Sequence, residues 1–112
     1  LAHAIERANN YTCRHGDAVA VGCCFAARLA QARGLLSADD VARHDQLFSR
    51  VGLPTRYEGS TLEELTHIML SDKKVRRGIL RFVLLDGIAN PGTVSIDPQE
   101  LQAPASQIGI RA

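Results

Sequence analysis

Asp17-Ala18-Val19-Ala20-Val21-Gly22-Cys23-Cys24-Phe25-Ala26-Ala27-Arg28-Leu29-Ala30-Gln31-Ala32-Arg33 is the stretch that decides the fold. It is too long for a strand and is followed by Gly34, a residue suited to closing a helix, so the sequence predicts one helix over 17–33. Small apolar residues occupy nearly every side of it from Ala18 to Ala27, and polar ones appear only toward its end, at Arg28, Gln31 and Arg33. A helix apolar all round is buried inside a larger helical assembly. Its neighbours are expected to come in part from outside the chain, leaving apolar surface along 18–27 and a tendency to associate.

Working outward toward the N-terminus, Leu1 to Ala8 reads as the last turns of a helix that closes at Asn9-Asn10 in left-handed geometry. Toward the C-terminus, Ser37 caps a helix carrying Asp39 and Asp40 in its first turn, where carboxylates suit the dipole. Val41, Leu47, Phe48 and Val51 are its expected apolar positions, and Gly52 with Pro54 ends it. Thr61 and Glu64 form a capping box for a further helix whose buried stripe is Leu62, Leu65, Ile68 and Met69. The pattern then changes to short β-like runs. Ile79 to Leu85, closed by Asp86-Gly87, and Thr93 to Ile96, entered through Pro91-Gly92, predict a small β-hairpin near residues 79–96. A helical turn over Gln99 to Gln102 is expected to break at Pro104. The fold class is thus mainly α, with residues 1–103 as one helical domain and 104–112 as an irregular tail.

With 112 residues the chain is one domain at most. A net charge of +1 gives no field to gather nucleic acid or an anionic membrane, and the few aromatic residues make a base-stacking platform improbable. The apolar run 18–27 is too short to cross a bilayer. The three cysteines, Cys13, Cys23 and Cys24, lack zinc-ribbon spacing and an even count, so they read as core fillers in a reducing, cytoplasmic setting.

Chemistry concentrates near the start. His3 stands one turn before Glu6, so the two share a helix face. His15 precedes the long helix, where the dipole favours the neutral ring that binds metals. Two histidines are fewer than a catalytic zinc requires, and the plainer reading is a pair of polar residues with structural hydrogen bonds. Asp72-Lys73-Lys74-Val75-Arg76-Arg77 can hold a phosphate or carboxylate, or can simply be a solvated helix end. His44 and His67 sit among polar helical neighbours and are not expected to act.

The order His3-Ala-Ile-Glu6, Arg14-His-Gly-Asp-Ala-Val-Ala-Val-Gly22, Val51-Gly-Leu-Pro-Thr55, Asp72-Lys-Lys74, Leu80-Arg-Phe-Val-Leu-Leu85 resembles that of the 3-dehydroquinate synthases. The resemblance covers about Leu1 to Leu85 and weakens by about Ile96. The first residues resemble the end of the pattern Gly-His-Thr-x-Gly-His-Ala-Ile-Glu, with Ala2 in place of the second Gly, a change tolerated if the backbone there is helical.

The resemblance implies the C-terminal helical domain of an enzyme that converts 3-deoxy-D-arabino-heptulosonate 7-phosphate to 3-dehydroquinate and phosphate, within the shikimate pathway. It implies NAD and Zn2+ (or Co2+) as cofactors of the intact protein, a homodimer and a cytoplasmic location. His15 matches a zinc ligand, His3 a residue placed to relay protons, and one of Lys73 and Lys74 a lysine that contacts substrate. Glu6 is a candidate to orient His3 or a neighbour. The motif's first histidine, a zinc-binding glutamate, the NAD-binding N-terminal domain and a phosphate-binding arginine would lie upstream of Leu1, so the chain alone is expected to be inert. Two alternatives stand beside this: another sugar phosphate cyclase of the valiolone or inosose synthase type, and a non-catalytic helical module that binds a partner.

Overall fold

The computed structural model describes residues 1–9, 14–71, 80–85 and 91–111. Helices α1 (Ala2–Ala8), α2 (His15–Ala32), α3 (Ala38–Arg50) and α4 (Leu62–Ser71) are followed by strands β1 (Leu80–Leu85) and β2 (Pro91–Ile96). A 3-10 turn (Pro98–Leu101) then leads into α5 (Gln102–Gln107).

The long apolar helix is the axis of this body. α2 packs against α1, α3, α5 and β1. Ala18, Cys24, Phe25, Leu29 and Ala30 are fully buried, and Ala20, Val21 and Ala27 nearly so. Val19, at 38% exposure, is its one large apolar side chain at the surface among the described residues. The expected apolar surface along 18–27 is narrowed, not absent: the chain's own elements cover most of the helix, and one face keeps Val19 exposed and Gly22, Cys23 and Ala26 half-buried. Small side chains let them come close, and a Cβ placed on Gly22 would lie 3.3 Å from both the Cβ and the backbone nitrogen of Ala2 on α1. At its end, Gly34 takes φ +77°, and the amides of Gly34 and Leu35 bond back to the carbonyls of Gln31 and Ala30 at 2.9 and 2.8 Å.

α3 begins where Ser37 Oγ accepts from the Asp40 amide at 3.1 Å. Val41 is buried and Phe48 packs against the core, but Leu47 and Val51 are 61% and 65% exposed. The stripe 41–45–48 faces α2, and Leu47 and Val51 fall roughly a quarter to a third of a turn off it. α4 carries its capping box as expected: the Glu64 amide donates to Thr61 Oγ1, and the Thr61 amide to Glu64 Oε1, both at 3.2 Å. Leu62, Leu65 and Met69 are buried and Ile68 packs against the core.

α1 closes at Asn9, as expected, but not through left-handed geometry there. Asn9 has φ −98°, not a left-handed value. Its side chain makes the closure instead: Nδ2 donates to the Ile5 carbonyl at 2.8 Å and to the Tyr57 hydroxyl. Asn10 lies outside the described residues. Ala2 is helical, which is the condition its small-for-small replacement requires.

The hairpin pairs β1 and β2 antiparallel, from Leu80 opposite Ile96 to Leu85 opposite Pro91. Period-2 alternation places Leu84, Val94 and Ile96 toward the core and leaves Thr93 and Ser95 exposed. Pro91 and Gly92 belong to β2 itself, where the notional entry turn was expected, and a proline is tolerated as the first residue of a strand. Asp86-Gly87 lies outside the described residues.

The C-terminal segment overturns the irregular tail. Asp97 caps the 3-10 turn, accepting from the Gln99 amide at 2.9 Å, while its own amide donates to Glu100 Oε2 at 2.9 Å. Pro104 does not break the chain. It is the third residue of α5, in the first turn, where an amide has no intrahelical partner to lose, and its ring is buried. Ala105, Ile108 and Ile110 are buried as well. The Tyr57 amide bonds to the Ile108 carbonyl at 2.8 Å, and the Leu62 amide to the Arg111 carbonyl at 2.6 Å, so both ends of the segment before α4 are tied to the C-terminus.

Candidate functional site

α1 packs against α2, and that packing brings Glu6 against His15. Glu6 sits in the last turns of α1, with its side chain 16% exposed. His15 is the first residue of α2, with its side chain 77% exposed. His15 Nδ1 lies 2.8 Å from Glu6 Oε1. A carboxylate offers only acceptor oxygens, so the proton of this bond is on Nδ1, and in the neutral ring Nε2 is left with its lone pair. That is the form in which a histidine ligates a metal while a carboxylate holds its other nitrogen. His3 is exposed, one turn before Glu6 on α1. Glu6, which the sequence left between His3 and a neighbour, therefore pairs with His15.

An imidazole nitrogen suits zinc or cobalt. Among the described residues no cluster of three histidine, cysteine, aspartate or glutamate side chains is placed to hold an ion. The described part of the chain thus fits such a metal as the source of one ligand and its supporting carboxylate. Lys73 and Lys74, with the basic run around them, lie outside the described residues.

A second polar group was not anticipated. Midway along the α2–α3 contact, Arg28 forks onto Asp45, with Nη1 to Oδ1 at 3.0 Å and Nη2 to Oδ2 also bonded. Arg28 Nη1 also reaches the Cys24 carbonyl at 3.2 Å. Burial, and after it the Asp45 carboxylate, pushes the Cys24 thiol up to about 12. Burial pushes the Cys23 thiol up too. For Asp45, burial works upward, but the Arg28 guanidinium outweighs it and holds the carboxyl below the usual range. Cys24 lies in the buried core, as the core-filler reading expects, whereas Cys23 is half-buried and stands outside it; the upward shifts make both thiols poor nucleophiles. Cys13 lies outside the described residues. His44 Nδ1 bonds the Asp40 carbonyl one turn back at 2.7 Å. His67 stands on the exposed face of α4, beside a groove it lines with Leu62, Thr66, Leu70 and Gln99.

The fold is shared with sugar phosphate cyclases. A crystal structure of 2-deoxy-scyllo-inosose synthase complexed with carbaglucose-6-phosphate, NAD+ and Co2+ superposes with a TM-score of 0.81 at 26% identity, over 95% of this chain and 31% of that one. Residues 1–75 match the family described as 3-dehydroquinate synthase C-terminal, and the chain belongs to that family. It is 47% identical over 109 residues to the 3-dehydroquinate synthase of Mycolicibacterium gilvum (strain PYR-GCK), covering 96% of this chain and 30% of that protein. With the Nocardia farcinica (strain IFM 10152) protein of the same name, identity is 49% over 109 residues, covering 96% and 29%. With that of Mycobacterium leprae (strain TN) it is 50% over 99 residues, covering 88% and 27%. The chain thus spans about 30% of the length of the curated relatives it matches. No helix among the described residues is long and apolar enough to cross a membrane.

Proposed function

We propose that this chain is the helical, metal- and substrate-facing part of a 3-dehydroquinate synthase, which converts 3-deoxy-D-arabino-heptulosonate 7-phosphate to 3-dehydroquinate and phosphate. The observation that carries the reading is the Glu6–His15 pair, a carboxylate-backed imidazole at the position where the family resemblance calls for a zinc ligand. Identity of 45–50% to 3-dehydroquinate synthases, against 26% to an inosose synthase, favours this substrate over that of another cyclase.

In this reading His15 offers Nε2 to a divalent metal, Zn2+ or Co2+, and the remaining ligands come from the N-terminal part of the longer protein. His3, exposed one turn from Glu6, takes and returns protons at the substrate. One of Lys73 and Lys74 holds a substrate anion through its ammonium group. NAD, bound by the N-terminal domain, supplies the transient hydride acceptance, and the metal supplies Lewis acidity. The intact protein is a cytoplasmic homodimer of the shikimate pathway.

Two assays test this. The 112-residue chain given substrate, NAD and Zn2+ is expected to release no phosphate above background; turnover by the chain alone would overturn the division of labour. The same residues within a full-length protein are expected to release phosphate and form 3-dehydroquinate, and His15→Ala there is expected to abolish both. Formation of an inosose or a valiolone instead would transfer the chain to another cyclase, and no turnover of any sugar phosphate would leave the partner-binding module.

A further inference from the structure

We infer that Glu6 is a positioning residue: it fixes His15 as the Nδ1–H tautomer and thereby commits Nε2, and not Nδ1, to metal. The inference deepens the metal reading of His15 given above and rests on it. Glu6 and His15 are on different helices, so their contact is set by the packing of α1 on α2 and not by local chain geometry. That packing is tight, with Ala2 close against Gly22. Glu6 is largely buried while His15 is largely exposed, so the carboxylate is the fixed member and the ring the member it holds. Without an acceptor at Nδ1, an exposed imidazole in water favours the Nε2–H form and turns freely about its side-chain bonds. The 2.8 Å bond reverses the first preference and restrains the second. Supporting carboxylates of this kind contribute on the order of 10- to 100-fold to metal affinity.

The test is nitrogen-15 NMR on the histidine rings of the labelled chain, at a pH where imidazoles are neutral. His15 is expected to show a protonated Nδ1 and an unprotonated Nε2; the opposite assignment in the wild-type chain overturns the inference. Glu6→Ala is expected to move the proton to Nε2 while the other three rings keep their signals. Zinc chloride titrated into the wild-type chain is expected to attach weakly at His15 Nε2, and Glu6→Ala to weaken that attachment about tenfold or more. Attachment through Nδ1, or a tautomer and affinity indifferent to Glu6, defeats the positioning role alone. Zinc that shifts other histidine rings and leaves His15 unmoved defeats the metal reading itself. Should Glu6→Ala fail to fold, the wild-type tautomer and the nitrogen that zinc selects still decide the matter.

Discussion

Cys24, Arg28 and Asp45 place a charged fork and a thiol where α2 meets α3, and their protonation ties stability to pH at both extremes. Asp45 titrates below the usual carboxylate range when folded, so its contribution is full above the unfolded value near 4 and is lost as pH falls through the folded one. Cys24 runs the other way: its folded value, about 12, lies above a free thiol's ordinary 9.0, so stability declines as pH rises from 9.0 toward about 12. Urea titrations across pH should show Asp45→Asn flattening the acid arm and Cys24→Ala flattening the alkaline one. Near neutral pH, Asp45→Ala is expected to cost about 1.5–3 kcal/mol, since it strips charged hydrogen bonds from Arg28, whose side chain is only 13% exposed. A thiol reagent is expected to label Cys24 only on unfolding. None of this fork was legible in the sequence, because Arg28 and Asp45 are polar residues on separate helices and only the crossing of those helices makes them partners. His15 was legible as a metal candidate through its motif. The choice of His15 over His3 as the partner of Glu6 needed the packing of α1 on α2.

Among the elements, those governed by local rules were the readable ones. The Thr61–Glu64 box, the Ser37 cap and the Gly34 stop are all short-range hydrogen-bonding patterns, and each stands where its residues predict. The α3 stripe was misjudged at Leu47 and Val51 because hydrophobicity alone does not say which face of a helix meets its neighbour, and here an ion pair occupies part of that face. α5 is hidden in the sequence because Pro104 looks like a breaker until its place in the first turn is known. Gly109 follows α5 as Gly34 follows α2, each at positive φ. Gly34→Ala puts a Cβ into open space at φ +77°, so it bears backbone strain alone, about 1–2 kcal/mol. Gly109→Ala, at φ +91°, adds a contact of 3.1 Å with Glu58 Cγ and is expected to lower the urea midpoint further than Gly34→Ala does.

At the scale of the whole molecule, enclosure of α2 by α1, α3, α5 and β1 bears on how the chain behaves alone. Large apolar exposure is confined, among the described residues, to Val19, Leu47, Val51 and Leu70, and along 18–27 only the narrow face of Val19, Gly22, Cys23 and Ala26 is left partly open. Folding of the isolated chain is expected to be cooperative, with little binding of a hydrophobic dye. Ile108→Ala, which opens a cavity beneath α5 in a fully buried position, is expected to cost about 2–5 kcal/mol and to raise dye binding.

The bonds from Tyr57 to Ile108 and from Leu62 to Arg111 join positions about fifty residues apart, whereas α2 and α3 meet through a short turn. Contacts so distant along the chain repay their loop entropy only after the ends have been gathered. The C-terminal clasp is therefore expected to form late in folding, and a residue within it, such as Ile108, to change the unfolding rate much more than the folding rate. Kinetic persistence of the folded chain is then expected to be set at the clasp, and the α1–α2 pair that presents His15 depends on it in part, since α2 also packs against α5 and β1, and α1 against α4.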